Sequence, residues 1–448
     1  MMHNKYSKLA AVSAAMFMAV TSGHVYAQGA KQLSLDEAVK LTVQNSGRLR
    51  IANAKIDEAT ANVHEARNNQ LPDLKASGSY LRLNSPDVNL KVKLGSGSST
   101  GEPTGNPVKV DQAAYALVNA SLPLFSGFRI KYGIESARYL AQAAKLDAEK
   151  DKEEVVQNAI DAYSNLYKAK KTVDLVKENL GREQKRVTDF GNLEKNGLMA
   201  RNDLLKAQLQ QSNIELSLLE AENNFKIASI NMDLLMGLPE ETTLMPDSTG
   251  LDGMPDAGTV MNWEQTALQN RKDRAALSVR MQAANTAIKA SKGEYYPGLA
   301  LSGGYIAADV PNVLTLTNAL NVGIGLQYNL GALWKTGAKV DAAKARYHQI
   351  EANESMLADQ VRIEVAHAYQ NYILSQKKIT VYSKSIEQAN ENYRITKNKY
   401  DNNLVTTTDL LDADVAQLQA QLNYAFSKVD AAVAYKKLEQ TAGVLSKQ

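Results

Sequence analysis

Between residues 320 and 329 apolar and small or polar residues alternate without a break. Leu320, Val322, Ile324, Leu326 and Tyr328 take one side, and Asn321, Gly323, Gly325, Gln327 and Asn329 the other. That period of two is a β-strand, and ten residues is about the length of one tilted strand across a bilayer. Residues 116–124 repeat it, with Ala116, Val118, Ala120, Leu122 and Leu124 facing one way and Asn119 and Ser121 the other. Two further strand-like segments bring the predicted strands to about 74–83, 115–125, 299–306 and 319–329. Around them the period changes to that of a helix, at about 35–66, 130–190 and up to 236, then at 265–293, 335–400 and 405–441. The stretch from 130 to 190 alone is roughly 90 Å of helix at 1.5 Å per residue. After residue 410, Leu411, Val415, Leu418, Leu422 and Ala425 step by four and three, as do Leu205, Leu209, Ser212, Leu216 and Leu219. A seven-residue repeat of this kind implies left-handed coiled-coil packing.

The same elements occur twice. NGLMARNDLL at 196–205 returns as NNLVTTTDLL at 402–411, and AYSNLY at 162–167 as AYQNYI at 368–373, both 206 residues on. LPDLKASGSY at 71–80 meets YPGLALSGGY at 296–305, whereas LPLFSG at 122–127 meets LQYNLG at 326–331. The chain therefore reads as two structural repeats, about 33–240 and 262–443, within one domain over 28–448. The first repeat holds the longer strand connection, including the Gly, Ser and Pro-rich loop GSGSSTGEPTGNP at 95–107.

Four strands set in two pairs between very long helices have no sheet to cover them, and too few to close a barrel, since small barrels use about eight. Open strand edges are not tolerated in lipid. Several chains must then pool their strands. The predicted fold is a mixed α+β membrane protein: a long α-helical coiled-coil barrel plus a transmembrane β-barrel completed by oligomerisation, four strands per chain, from an internal duplication.

Composition narrows the function. Residues 1–27 read as a secretory signal peptide: Lys5 and Lys8, an apolar run from Leu9 to Val20, and Val25-Tyr26-Ala27 before the cleavage point. Its removal takes the formal charge from +3 to +1, which argues against a nucleic-acid partner. There are no cysteines, hence no disulfides and no thiol for a lipid anchor. Past residue 27 the histidines are His64, His348 and His367, without metal-ligand spacing, and no catalytic constellation stands out. No enzyme activity, cofactor or metal is expected.

The phrases at the helix junctions carry chemistry. Gly197 and Asn403 end long helices, and both residue types tolerate the left-handed conformation found there. Asp203 and Asp409 fall near the start of the next helix, where a carboxylate favours the dipole. The predicted hairpin tips are about 194–203 and 400–409. Leu198 and Leu404 place an apolar residue beside each turn, suited either to docking a partner helix hairpin or to stapling the turn itself.

With LSLDEAVKLTVQNS at 33–46, the LP-L entry to the first strand, the LPLFSG exit from the second and both L---DLL-A tips in order, the whole mature chain resembles the TolC-like outer membrane efflux proteins. Ser46-Gly47 stands where that family often has Asn-Pro. The resemblance implies a homotrimer with a twelve-strand barrel in outer membrane lipid, a twelve-helix tunnel projecting into the periplasm, and an equatorial girdle. It implies passive export of small toxic compounds or proteins, with a periplasmic adaptor and an inner-membrane transporter as partners. A periplasmic coiled-coil adaptor or structural protein is the alternative. The resemblance also implies a pore aperture at Asp409, Asp412 and Tyr400. The family's lock arginine is replaced by Val405, and the first copy offers Asp203 and Lys206 in place of the acidic pair.

Overall fold

The computed structural model describes residues 31–84, 86–88, 108–251, 255–311 and 313–445. The expected signal peptide and the loop at 95–107 lie outside these residues. In chain order the elements are β1 (Lys31–Leu33), α1 (Leu35–Asn45), α2 (Gly47–Asn68), β2 (Asp73–Arg82), β3 (Asp87–Val88), β4 (Val108–Lys109), β5 (Gln112–Phe125), α3 (Arg129–Lys195), α4 (Arg201–Met236), β6 (Leu244–Pro246), α5 (Val260–Asn270), α6 (Lys272–Lys292), β7 (Gly298–Val310), β8 (Leu314–Gln327), α7 (Ala332–Asp401) and α8 (Thr407–Thr441). They divide into two compact units. One takes the described residues up to Leu49, Lys152–Ala267 and Glu364 onward; the other takes Arg50–Asp151 and Leu268–Ile363.

The second unit holds an antiparallel sheet in the order β2-β5-β7-β8, and among the described residues one side of β2 and one side of β8 have no partner strand. Residues opposite each other across an antiparallel pair share a face. Leu122, Leu301 and Ile324 therefore line up on one side, as do Val118, Tyr305 and Leu320. On the other face Lys75, Asn119, Gly304 and Asn321 form one row. A Cβ at Gly304 would lie 3.0 Å from the carboxamide oxygens of both asparagines, so glycine lets the two side chains converge there. The strands outrun the expected 299–306 and 319–329. The register shifts between Ile306 and Ala308, where Asn318 adopts φ 58° and meets the Tyr305 hydroxyl. A bulge of this kind absorbs one residue and lets pairing continue beyond it.

Below the sheet, β5 turns into α3 through Gly127, φ 62°, whose missing Cβ would sit 2.1 Å from the carbonyl oxygen of Gly293 at the end of α6. Two backbones meet there with room for no side chain. In the same unit Ala143, Ala276 and Val279 are buried between α3 and α6, and small residues allow that close approach.

The first unit has the largest core, with Leu33, Leu35, Ile160, Tyr163, Leu166, Met232, Met236 and Leu244 among its members. Tyr163 is fully buried, and its hydroxyl lies 2.7 and 2.9 Å from the carbonyl oxygens of Leu33 and Asp247, which share its single proton. It thereby pins the parallel pair β1–β6 to α3. This pair and β3–β4 correct the expectation of four strands and no others. At two or three residues each they are too short to show a period.

A second correction concerns 35–66, expected as one helix. It is α1 and α2, broken at Ser46, whose hydroxyl accepts the Leu49 N–H at 3.3 Å and starts α2. Asn45 closes the end of another helix, its carboxamide donating to Met236 O at 2.7 Å beside Gly237, φ 70°. The corresponding break in the second repeat, between α5 and α6, falls at Arg271.

Candidate functional site at the hairpin tips

The two tips fold alike. At the end of α3, Leu198 N donates to Leu193 O and Gly197 N to Glu194 O, both at 2.9 Å. At the end of α7, Leu404 N donates to Lys399 O and Asn403 N to Tyr400 O, again both at 2.9 Å. These paired bonds form the Schellman motif, which requires one left-handed residue. Gly197 supplies φ 71° and Asn403 φ 59°. Nothing lies within 4 Å of a Cβ built on Gly197, so conformation alone favours glycine there.

The motif sends the next side chain outward. Leu198 is 74% exposed and Leu404 72% exposed. Both leucines therefore present most of their surface to solvent in the single chain.

The starts of the following helices differ. Ala200 offers α4 no side-chain cap, whereas Thr406 and Asp409 form a reciprocal capping box at α8. Asp409 N donates to Thr406 Oγ1 at 3.2 Å, and the Asp409 carboxylate accepts from Thr406 N at 2.8 Å and from its hydroxyl at 2.6 Å. The Thr406 hydroxyl, then its backbone N–H, holds the exposed Asp409 carboxyl below the usual range. Within one chain these hydrogen bonds outweigh the small opposing effect of burial. Asp412 lies one turn further along, exposed. In the first copy Lys206 pairs with Asp203 at 3.3 Å.

Tyr400 is half-buried. Its ring lies 5.7 Å from that of Phe190, in a cluster with Ala207 and Leu410, and burial raises its phenol above the ordinary value. The hydroxyl is 3.5 Å from Thr407 Oγ1. Val405 is also half-buried, and no arginine stands there.

The seam of α4 differs from the sequence expectation. Ala207, Ile214 and Ala221 are its buried heptad within the chain. Leu205, Leu209, Leu216 and Leu219 are 50–64% exposed on another face. The helix carries two seven-residue stripes, and the small-residue one suits close packing against its own chain. On α8, likewise, Leu411 is buried but Val415 is 49% exposed.

Sequence reasoning missed a group of polar side chains in this unit. Asn179, Glu183, Arg186 and Asp414 are buried together. Among the described residues no three His, Cys, Asp or Glu side chains gather as metal ligands, and no helix is long and apolar enough to cross a membrane.

The sequence signature of the outer membrane efflux protein family matches residues 38–238 and 263–444. The chain is 22% identical over 342 residues to the outer membrane efflux protein BepC of Brucella suis, covering 74% of each chain. It is 23% identical over 302 residues to the alkaline protease secretion protein AprF of Pseudomonas aeruginosa, covering 65% of this chain and 62% of that one. Its fold matches the crystal structure of the outer membrane protein VceC of Vibrio cholerae with a TM-score of 0.74 at 17% identity, over 91% of this chain and 96% of that one. Exposed alternating strands, an open sheet and paired helix hairpins are thus the parts of a known architecture. The chain belongs to the outer membrane efflux protein family and is an export channel of the outer membrane.

Proposed function

We propose that three copies of this chain form one passive duct, with twelve strands in the membrane and paired helix hairpins on the periplasmic side. The observation that carries this is the sheet: two unpaired edges, with Leu320, Val322, Ile324 and Leu326 on β8 each 69–76% exposed. Lipid accepts apolar side chains but not open backbone edges, so β8 of one copy must pair with β2 of the next. An inner-membrane pump pushes cargo into the duct through a periplasmic adaptor, which docks on the tips at Gly197-Leu198 and Asn403-Leu404. Their exposed leucines supply the apolar contact. The cargo is a small toxic compound or a protein. BepC is named for efflux and AprF for protease secretion, so both classes occur among the relatives. The chain is a transport protein, and no catalysis is assigned to it.

Asp409 and Asp412, three residues apart on one face of α8, form the aperture together with Tyr400. Threefold symmetry would set six carboxylates around one constriction, as acidic rings do in cation-selective pores. Conductance in planar bilayers tests this. The closed channel should prefer cations and be blocked by multivalent cations added from the periplasmic side. Asp409→Ala with Asp412→Ala should abolish the block without loss of assembly. Unchanged block would reduce both aspartates to helix-start residues.

A further inference from the structure

On α3, Asn179, Glu183 and Arg186 fall on one helical stripe, and it is largely shielded from water, the Arg186 side chain being 9% exposed. Glu183 is 0% exposed, Asp414 of α8 1% and Asn179 2%. Apolar groups close both ends of this layer. Val176, Leu180, Ile214, Leu218 and Leu418 lie on one side, and Phe190, Ala207, Leu410, Tyr393 and Tyr400 on the tip side. Within the layer Arg186 pairs with the Glu183 carboxylate, and with Asp414 Oδ2 at 3.4 Å. It also donates to the Tyr393 hydroxyl of α7 at 3.2 Å. Asn179 donates to the same Asp414 oxygen at 3.2 Å. One guanidinium thus joins three helices far apart in sequence.

The charges do not balance: one cation faces two carboxyl groups. Among the described residues Glu183 Oε1 and Asp414 Oδ1 have no hydrogen-bond partner. Among the described residues no second cation pairs with either carboxylate. On α3 Arg182 pairs with Glu178, and on α7 Lys397 pairs with Asp401 and Arg394 with Glu391. From α4, Ala207 and Ile214 face this stretch of α3; the flanking Asp203 and Lys206 pair with each other, and Glu215 accepts from Gln211. A buried carboxylate beyond what its partner neutralises is costly, and taking up a proton removes that cost. Burial, opposed by Arg186 and reinforced by Asp414, pushes the Glu183 carboxyl up to about 7.

We propose that this layer is a proton-operated latch on the hairpin tips. Protonated Glu183 lets Arg186 and Asp414 hold α3 against α7 and α8, and loss of the proton to solvent releases them. The direction follows from linkage. In the packed layer Glu183 binds its proton more tightly than an exposed glutamate with the ordinary value of 4.5. The packed form is therefore fully favoured below that value and loses its advantage as pH rises through about 7. A difference of this size shifts the packed-to-released ratio on the order of a hundredfold. As an account of gating the latch rests on the export-channel reading; as a movement of the tips it does not.

The absence of cysteine makes the test direct. Spin labels at Lys195→Cys and Asn402→Cys, in the full chain extracted in detergent, report the separation of the tips by pulsed electron resonance. Between about pH 5 and about pH 8 the wild-type background should gain a longer-distance population, with its midpoint between the two Glu183 values. Glu183→Gln should keep the short distance at both pH values, and so should Asp414→Asn, which leaves one carboxyl for Arg186. Distances that do not change with pH in the wild-type background overturn the latch, even if neither variant folds. So does a Glu183→Gln protein that keeps the full pH response. Bilayer conductance is read separately. A pH-dependent distance without a matching conductance change leaves the latch standing and counts against the tips as the aperture.

Discussion

Thr406 and Asp409 separate two roles that one carboxylate can play. As a capping partner Asp409 closes the first turn of α8, and loss of such a cap costs about 1 kcal/mol. As an aperture group it would bind cations, which needs only its charge. Thr406→Ala should therefore lower the thermal midpoint of the protein slightly while leaving cation block intact. Asp409→Ala should lose both the stability and part of the block. Equal block in wild type and Asp409→Ala, with the same stability loss as Thr406→Ala, would assign the residue to capping alone. At this scale the tips were readable, because few residue types take positive φ and Gly197 and Asn403 are two of them. The buried layer was not. Asn179, Glu183 and Arg186 recur at the spacing of a solvated helix face, and only their burial against Asp414 and Tyr393 shows otherwise.

Among the elements, β8 and α4 each present two faces with different work. On β8, Ile324 points with the apolar row and Gly325 with the polar one. Ile324→Arg should block assembly, at about 2–4 kcal/mol if the residue lies near the membrane midplane. Gly325→Ser should be tolerated, since a Cβ there meets nothing closer than Ala300 O at 4.0 Å. Equal recovery of assembled protein from both variants would contradict the assigned faces. On α4, Leu209→Asp with Leu216→Asp should spare the fold of the chain but prevent association, because both side chains are exposed in one copy. Ala207→Leu should do the reverse. Its position is fully buried beside Phe190, and overpacking of this kind costs about 1–3 kcal/mol. Circular dichroism melting and native mass together separate the two effects. Period two and the heptad made these elements legible. Which of two heptad stripes faces the chain's own core was not, because both repeat every seven residues. The break at Ser46 was missed because the apolar spacing continues across it and a hydroxyl alone marks the new start.

For the whole molecule the duplication was the informative signal. It placed the strands in pairs, repeated the tips 206 residues apart and implied strand edges that one chain cannot satisfy. Docking follows at the same scale. Leu198→Asp with Leu404→Asp should abolish export in cells while leaving assembled protein in the membrane, and persistent export would move the docking surface elsewhere. Beneath all of this lies one claim, that the open sheet is closed by other copies of the same chain. The mass of the protein extracted from outer membranes in mild detergent tests it most directly. The account predicts a particle of three chains that requires detergent to leave the membrane; a single chain released without detergent would contradict it.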